Sequence, residues 1–437
     1  MSSTSSMVQY CRGNPVGDKS TGLILIRGAR QLLTLRGSSA PRRGAQLKEL
    51  GIISDGSLLI KDGVIDQVGS TRRVENLACA RGAVEISAIG RVVMPGFVDS
   101  HTHLVFPPPG ASAQEIEGAV RSVRSETGQR LQVRTQAYME AMARHGTTTV
   151  EAKTGCGPDE SAETKLLRVL GALKNDPLQV VPTFLFSLPQ PGRKGSNGDR
   201  AALEWVLAEL LPKILRRGFA HFADLAWDDD PSRQEFFVRY LDAARKLSLP
   251  CKIHACHDRP AAAIAMAIRQ FAVAIDHLEH ATPADAALLA GTATLATLLP
   301  CTSFCNGGRN APARAIIDAG GAVALATDFN PQHTPTLSMQ TVVALACLRL
   351  GMSPAEAISA ATINSAYALG CDQQVGSLEV GKVADLVILN TSDYRDLTNN
   401  FGMNLVHMTM KRGRLIYKEG DVAPRAAWDS SVSPSLD

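Results

Sequence analysis

The sequence predicts an α/β fold, in which a (β/α)8 TIM-like barrel is joined to a small β-sandwich domain. Eight short apolar segments alternate with helix-like segments through the middle of the 437-residue chain, a pattern typical of parallel barrels. Glycine-interrupted β segments occur on both sides of this region, so we expect the two chain ends to build one β domain. The predicted boundaries are 1–21 for a tail, 22–95 and 376–425 for the composite β-sandwich domain, 96–375 for the barrel and 426–437 for a second tail.

The N-terminal β segments are "LILIRGARQLLTL", "GSLLIKDGVIDQVG" and "GAVEISAIGRVVMPG". In the second of them, Asp62 and Gly63 predict a tight hairpin turn, because an Asp-Gly pair readily supplies positive φ. The stretch before Leu23 is polar and has no apolar core of the kind found in a secretory signal. Its composition predicts a disordered tail.

The predicted barrel strands are short segments rich in apolar and β-branched residues. They are Phe97–Ser100, Thr147–Ala152, Val180–Phe186, Phe222–Ala226, Cys251–His254, Ala274–Leu278, Thr294–Leu299 and Ala322–Thr327. A doubly wound open sheet is the alternative arrangement, but no glycine-rich phosphate loop follows the first strand.

A late helix is predicted by "SPAEAISAATINSAYALG". Ser353 is placed as the N-cap, Pro354 as the first helical residue and Glu356 as the partner in a capping box, and Gly370 is the predicted stop. Two β segments follow this helix, "GSLEVGKVADLVILN" and "VHMTMKRGRLIYKEG", and we assign them to the composite domain.

Composition excludes several function classes. The 45 basic and 42 acidic residues give a net charge of +3, which is too small to favour nucleic acid or a membrane surface as a partner. No apolar run approaches the roughly 20 residues of a membrane helix. The nine cysteines are odd in number and scattered, which is typical of reduced thiols in a cytosolic protein. We therefore expect a cytoplasmic protein that acts on a small molecule.

Ionisable side chains accumulate where the predicted strands end, which is the edge at which barrel enzymes place their chemistry. They are His101, His103, Lys153, Asp228, His254, His257, His277 and Asp328.

His101 and His103 are two residues apart, so on an extended chain they point to the same face. With His254 and Asp328 they offer three imidazoles and one carboxylate, a donor set that suits zinc or ferrous iron. The alternative is that His-x-His ends a strand by chance. With a metal present, Asp328 can accept the proton of the attacking water. His277 can stabilise the developing oxyanion, or it is a core histidine bonded to a carbonyl.

Lys153 is in principle able to form a carbamylated bridge between two metals. That role usually needs the end of the fourth strand in such barrels, whereas Lys153 follows the second predicted strand. We therefore favour one metal, with Lys153 as a pocket or structural residue. His280 is interpreted as structural.

These residues, with the segments around them, resemble the amidohydrolase superfamily and most closely its imidazolonepropionase family. The segments that carry the resemblance are "MPGFVDSHTHLVF", "EAKTGCG", "KIHA", "DHLEH", "ALATDFNP" and "GSLEVGKVADLVIL". The resemblance implies one zinc or iron bound by His101, His103, His254 and Asp328. It also implies a catalytic His277, a substrate contact from Asn330 and a homodimer.

The substrate pocket departs from the family pattern. Gly110 stands where the family has an arginine for the substrate carboxylate, Cys156 replaces a tyrosine, and Leu188 replaces a histidine. His257 replaces an acid or amide and is interpreted either as a substrate contact or proton shuttle, or as a residue behind the pocket. The predicted substrate-binding residues are Cys156, His257, Asn330 and His333.

The predicted activity is hydrolysis of a C–N bond in a cyclic amide, as in the conversion of 4-imidazolone-5-propanoate to N-formimino-glutamate in histidine degradation. One alternative is a deaminase or a cyclic amidohydrolase that acts on another heterocycle with the same metal apparatus. The other is a non-catalytic assembly protein built on this scaffold, although such relatives lose metal ligands and this chain has all four.

Overall fold

A computed structural model describes residues 22–37, 40–105, 113–155, 159–173, 176–188, 196–255 and 260–421. Both predicted tails, 1–21 and 426–437, lie outside these described residues. None of the helices within the described segments combines the length and apolarity needed to cross a membrane.

The chain begins with the strands of the composite domain. They are β1 (Leu23–Leu33), β2 (Ile52–Lys61), β3 (Val64–Ser70), β4 (Val84–Ser87) and β5 (Val92–Pro95). Strands β1, β2 and β3 pair antiparallel in that order, and β1 also pairs parallel with β4 and β5. The predicted hairpin turn between β2 and β3 is confirmed, with φ of 50° at Asp62 and 80° at Gly63.

Eight parallel strands follow and form the barrel wall. They are β6 (Phe97–Asp99), β7 (Thr147–Lys153), β8 (Gln179–Phe186), β9 (Phe222–Ala226), β10 (Cys251–Ala255), β11 (Ala274–His277), β12 (Leu295–Leu298) and β13 (Val323–Leu325). Each strand pairs with the next along the chain, so all eight predicted strands are confirmed. Every residue in them is buried. Burial on both faces explains why the segments read as continuous apolar runs without alternation.

Residues just beyond the first and eighth strands close the barrel. Thr102 and Phe329 form a parallel bridge. The amide of Asp328 donates to the carbonyl of His101 at 3.1 Å, and the amide of His103 donates to the carbonyl of Phe329 at 2.7 Å. The open-sheet alternative is therefore wrong, and the barrel assignment is confirmed.

Helices connect and cover the strands. The α-helices are Thr71–Glu75, Ala113–Ser125, Gly128–Arg144, Glu160–Ala172, Ser196–Trp205, Leu211–Arg217, Gln234–Lys246, Pro260–Arg269, Pro283–Leu288, Pro300–Cys305, Ala313–Asp318, Met339–Leu350, Pro354–Ser359, Ser365–Ala368 and Asp396–Asn399. Short 3-10 turns are Gly44–Lys48, Ala78–Ala80 and Pro231–Arg233, and π segments are Val206–Leu210 and Ala360–Asn364. The capping box of Ser353 and Glu356 is confirmed, and Gly370 stops the late helix with φ of 62°.

The last strands return to the composite domain. They are β14 (Leu386–Leu389), β15 (Val406–Lys411) and β16 (Arg414–Lys418). Strand β14 pairs antiparallel with both β5 and β15, so the two chain ends share one mixed eight-stranded sheet. Val64 bridges Val383, and the amide of Ile65 donates to Lys382 at 2.9 Å. Residues from both chain ends also share one apolar cluster, which confirms a β domain built from both chain ends.

Gly96 joins the sheet to the barrel, because it connects β5 directly to β6. Its position is buried, and a Cβ added there would lie 2.3 Å from Cγ2 of Thr148 on the neighbouring strand. The side chain of Thr148 is short, β-branched and fully buried, so it has little freedom to move away.

We expect Gly96→Ala to lower the free energy of unfolding by about 1–3 kcal/mol, because the new methyl group overpacks this junction. The matched control is Gly171→Ala, at an exposed helical position where nothing lies within 4 Å of the added Cβ. That variant should be neutral or gain up to about 1 kcal/mol from helix propensity. Urea unfolding followed by circular dichroism measures both. A wild-type midpoint for Gly96→Ala would contradict the close packing described.

Candidate metal centre and active site

The barrel gathers five of the predicted site residues at the carboxyl ends of its strands. His101 and His103 follow β6, His254 lies on β10, His277 ends β11 and Asp328 follows β13. All five are buried. The ring centroids of His101 and His254 are 4.9 Å apart, and those of His254 and His277 are 4.3 Å apart. The structure therefore brings together the four predicted metal ligands and the predicted catalytic histidine.

Three candidate ligand atoms are spaced as ligands of one ion. Nε2 of His101 lies 3.2 Å from Nε2 of His103 and 3.5 Å from Oδ1 of Asp328. The third separation, from Nε2 of His103 to Oδ1 of Asp328, is 3.7 Å. A tetrahedral ion with bonds of about 2.0–2.1 Å separates its ligands by roughly 3.3–3.4 Å. One nitrogen each of His101, His103 and His254 also falls within a group whose ligand atoms lie within 4.8 Å of one another.

Several of these buried polar atoms have no hydrogen-bond partner among the residues that the structure describes. They are Nδ1 of His103, both ring nitrogens of His254, Nε2 of His277 and Oδ1 of Asp328. Buried polar atoms are nearly always paired in native proteins, so this cluster needs an additional partner. A divalent cation would satisfy His254 and Asp328 together, and a set of imidazoles with one carboxylate suits such an ion.

Burial sets the protonation state of the three histidine ligands. It lowers the pKa of His101, His103 and His254 well below 6.5, and neighbouring positive groups lower it further. All three imidazoles are therefore neutral near pH 7, which is the form that binds a metal.

Burial has the opposite effect on the carboxylate. It raises the pKa of Asp328 to about 6. The hydroxyl of Thr302 donates to Oδ2 of Asp328 at 2.7 Å, which leaves Oδ1 facing the histidines. Asp328 is thus a carboxylate that can take up and release a proton close to neutral pH.

His277 differs from the other three histidines in the direction of its pKa shift. Its Nδ1 lies 3.3 Å from Oε1 of Glu279. Burial acts to lower the pKa of His277, but Glu279, Asp328 and Asp276 together outweigh burial and raise that pKa to about 9. His277 and Leu278 also adopt φ of 80° and 73°, a backbone conformation that is rare for bulky residues and clusters at functional sites.

Sequence reasoning missed three partners of these residues. Asp276 accepts from Nδ1 of His101 at 2.7 Å, Glu279 faces His277, and Thr302 orients Asp328. Asp276 and Glu279 stand in the same "DHLEH" segment as His277, so their proximity in sequence was an available signal. Thr302 lies in a short helix after β12 and carries no comparable signal.

The loop after Asp328 uses its polar side chains internally. Oδ1 of Asn330 accepts from the amides of Gln332 at 3.2 Å and His333 at 2.6 Å, and its Nδ2 donates to the carbonyl of Asp328 at 3.3 Å. Asn330 therefore orders this loop, and His333 lies half-buried within it. Their contacts with substrate remain predictions.

The other predicted polar residues divide into two groups. Cys156, His257 and Gly110 lie outside the described residues, and their roles remain predictions. Lys153 is fully buried and pairs with carboxylates, and Asp228 pairs with Arg233 at 2.6 Å.

We expect the chelator-treated protein to bind about one Zn²⁺ per chain through the four converging side chains. His254→Ala should weaken that binding by more than the ~10–100-fold typical of losing an outer partner of a ligand. The control is His407→Ala, because Nδ1 of His407 pairs with Glu419 at 2.9 Å on the distant composite sheet. Competition with a chromophoric chelator measures both affinities. Equal affinity in wild type and His254→Ala would exclude His254 as a ligand.

Comparison with known proteins agrees with this geometry. The model of the amidohydrolase family matches residues 92–416. The imidazolonepropionase of Symbiobacterium thermophilum is 38% identical, over 92% of this chain and 99% of the relative. The imidazolonepropionase of Brevibacillus brevis is 37% identical, with the same coverage of 92% and 99%.

Solved structures share the fold at lower sequence identity. A zinc-bound adenosine deaminase from Xanthomonas campestris superposes with a TM-score of 0.64 at 19% identity, covering 90% of this chain and 92% of that one. A triazine hydrolase variant gives a TM-score of 0.71 at 17% identity, with coverage of 91% and 95%. The family model and the long alignments at more than a third identity establish the family, and these structures support the fold alone. The chain belongs to the amidohydrolase family, among relatives that are imidazolonepropionases.

Proposed function

We propose that this protein is a metal-dependent hydrolase that opens the ring of a cyclic amide. The substrate we assign is 4-imidazolone-5-propanoate, and the product is N-formimino-glutamate. One observation carries the proposal: ligand atoms of His101, His103 and Asp328 converge beside His254 and His277, and Oδ1 of Asp328 and both ring nitrogens of His254 have no partner among the described residues, in a chain 38% identical to an imidazolonepropionase. Zinc or iron is the proposed metal, since both accept imidazole and carboxylate ligands.

The metal supplies Lewis acidity, which makes water a nucleophile near neutral pH. His101, His103, His254 and Asp328 would hold it. Oδ1 of Asp328 faces this centre, and the carboxylate would accept the proton of the attacking water on an oxygen that the metal leaves free. The carboxylate would then deliver that proton to the ring nitrogen as the C–N bond breaks. Water is consumed, and no other reactant is required.

His277 is assigned to the carbonyl oxygen of the substrate. Glu279 holds Nδ1 and favours the protonated ring, so Nε2 carries a proton and has no partner within the described part of the chain. As the carbonyl carbon is attacked, negative charge develops on its oxygen, and a donor already in place stabilises it without reorganisation. His277 therefore acts as the electrophilic residue.

Substrate recognition is proposed to involve Cys156, His257, Asn330 and His333. Gly110 stands at the position where the family has an arginine that binds the substrate carboxylate. If the substrate carries a propionate side chain, another group must bind its carboxylate. This replacement favours a second candidate function, a deaminase or cyclic amidohydrolase that acts on a heterocycle without that carboxylate.

We further propose a cytoplasmic homodimer that does not bind nucleic acid, in accord with the net charge of +3. The proposed domains are a barrel at 96–375 and a composite domain at 22–95 and 376–425. The homodimer is proposed from the family resemblance, and the domain bounds are proposed from the sequence pattern.

Metal-loaded protein should convert 4-imidazolone-5-propanoate to N-formimino-glutamate without releasing ammonia. His277→Gln should lower kcat by about 10²–10³-fold, as expected for loss of an oxyanion donor, while the metal content stays at the wild-type level. His407→Gln is the control and should retain kcat. No turnover by metal-loaded wild-type protein would reject this substrate, and ammonia release from an aminated heterocycle would support the second candidate.

The hydrogen bond from Thr302 predicts a pH effect. A donor to the ionised carboxylate lowers its pKa, so Thr302→Val should raise the pKa of Asp328. Because kcat/KM falls as Asp328 becomes protonated, the acid limb of the profile should move to higher pH. A hydrogen bond worth about 0.5–1.5 kcal/mol corresponds to roughly 0.4–1 pH unit.

Thr302→Ser retains the hydroxyl and is the matched control, so its profile should overlay that of the wild type. The measurement is kcat/KM from pH 5 to 9. A uniform loss of activity in Thr302→Val, with an unshifted acid limb, would show that Thr302 does not act on Asp328.

A further inference from the structure

A second cluster of charged side chains lies inside the barrel, next to the metal centre and unused by the proposed mechanism. We call it the barrel ion cluster, and its members come from β7, β9, β10 and β11. They are Glu151, Lys153, Asp224, Lys252 and Asp276. Each has a fully buried side chain.

Lys153 is the hub of this cluster. Its Nζ lies 2.5 Å from Oδ2 of Asp224, 2.9 Å from Oδ2 of Asp276 and 3.3 Å from Oε2 of Glu151. Lys252 lies 2.8 Å from Oε1 of Glu151 and donates to the carbonyl of Ser100 at 3.3 Å. The two lysines are therefore equally buried but differ in whether they contact Asp276.

The cluster meets the metal centre through a hydrogen bond at Asp276. Its Oδ2 lies 2.7 Å from Nδ1 of His101. This is the same oxygen that accepts from Lys153. A chain of contacts thus runs from Lys153 through Asp276 to His101, and then to the ligand atoms of His103 and Asp328.

Burying such a cluster inside the barrel is energetically unfavourable in itself. Taking a charge out of water costs several kcal/mol even after relaxation, and well-packed apolar residues often replace buried ion pairs without loss of stability. Barrel interiors are usually filled by branched apolar side chains. The cluster does, however, provide a hydrogen-bond acceptor for Nδ1 of His101, and apolar side chains have no such acceptor.

We propose that Asp276 is a positioning residue for His101, and that Lys153 acts through Asp276. An ionised carboxylate only accepts hydrogen bonds, so Nδ1 of His101 must carry the proton and Nε2 must keep its lone pair for the metal. Lys153 holds the accepting oxygen in place. The inference rests on the proposed metal site and does not depend on the identity of the substrate.

The test uses the full chain without substrate, with Zn²⁺ affinity measured by chelator competition and ligand geometry by the absorption spectrum of the Co²⁺ form. Asp276→Asn removes the charge at nearly constant shape, and its amide can donate to Nδ1 and move the imidazole proton to Nε2. It should weaken Zn²⁺ binding by about 10–100-fold, the range for outer partners of metal ligands, and change the Co²⁺ spectrum.

Two further variants, Lys153→Met and its combination with Asp276→Asn, distinguish the effect of Lys153 on Zn²⁺ affinity from that of Asp276. Lys153→Met should weaken Zn²⁺ binding, and the double variant should be no weaker than Asp276→Asn alone, because both changes interrupt one chain of contacts. Lys252→Met is the matched control. It removes an equally buried lysine that bonds Glu151 and the carbonyl of Ser100 but makes no contact with Asp276 among the described residues. It should lower stability and weaken Zn²⁺ binding less than Lys153→Met, with the Co²⁺ spectrum as in the wild type.

Three results would overturn the proposal. Wild-type affinity and spectrum in Asp276→Asn would remove Asp276 from any positioning role. Equal weakening by Lys252→Met, in proportion to lost stability, would make the cluster structural. Additive losses in the double variant would show that Lys153 does not act through Asp276. If Lys153→Met fails to fold, the comparison of Asp276→Asn with Lys252→Met still decides. Failure of the proposed substrate would leave all these measurements unaffected.

Discussion

The backbone hydrogen bonds that join the first and eighth barrel strands are the constraint on which the site depends. They link His101 to Asp328 and His103 to Phe329. Asp99 reinforces this junction, because its carboxylate accepts from the amide of Thr327 at 3.0 Å and from its hydroxyl at 2.6 Å. Without this closure, ligands from the two ends of the barrel sequence would not meet. The backbone hydrogen bonds that close the barrel thus involve His101, His103 and Asp328, whose side chains form part of the proposed metal site.

Four histidines of identical chemistry are given two different electrostatic roles. Burial keeps His101, His103 and His254 neutral, as metal ligands must be. His277 is equally enclosed, yet the carboxylates of Glu279, Asp328 and Asp276 together outweigh burial and raise its pKa to about 9. The balance between burial and nearby carboxylates therefore separates the electrophile from the ligands. Pairs of groups whose pKa values are pushed apart by their surroundings are a general mark of acid–base sites.

The composite domain supports the barrel at several points near these strands. The amide of Arg42 donates to Oδ1 of Asn364 at 2.8 Å, and Nδ2 of Asn364 donates to the carbonyls of Arg42 at 2.9 Å and Val323 at 2.8 Å. Asn364 thereby ties the N-terminal segment and the late helical region to β13. Since Asp328 follows β13, this contact steadies the strand that presents the carboxylate.

The local sequence pattern was sufficient to predict strands, turns and helix starts, because these depend on neighbours within a few residues. Apolar runs marked all eight barrel strands, Asp62-Gly63 marked a turn, and Ser353 marked a helix start. The ligand set was also predictable, since the carboxyl ends of parallel strands meet at one edge of a barrel. The single mixed sheet of the composite domain and the hydrogen-bond partners of the site residues were not predictable from local pattern. Asp276 and Lys153 are 123 positions apart in the sequence. Only the register of β7 and β11 in the barrel brings Lys153 and His101 to the same oxygen, Oδ2 of Asp276.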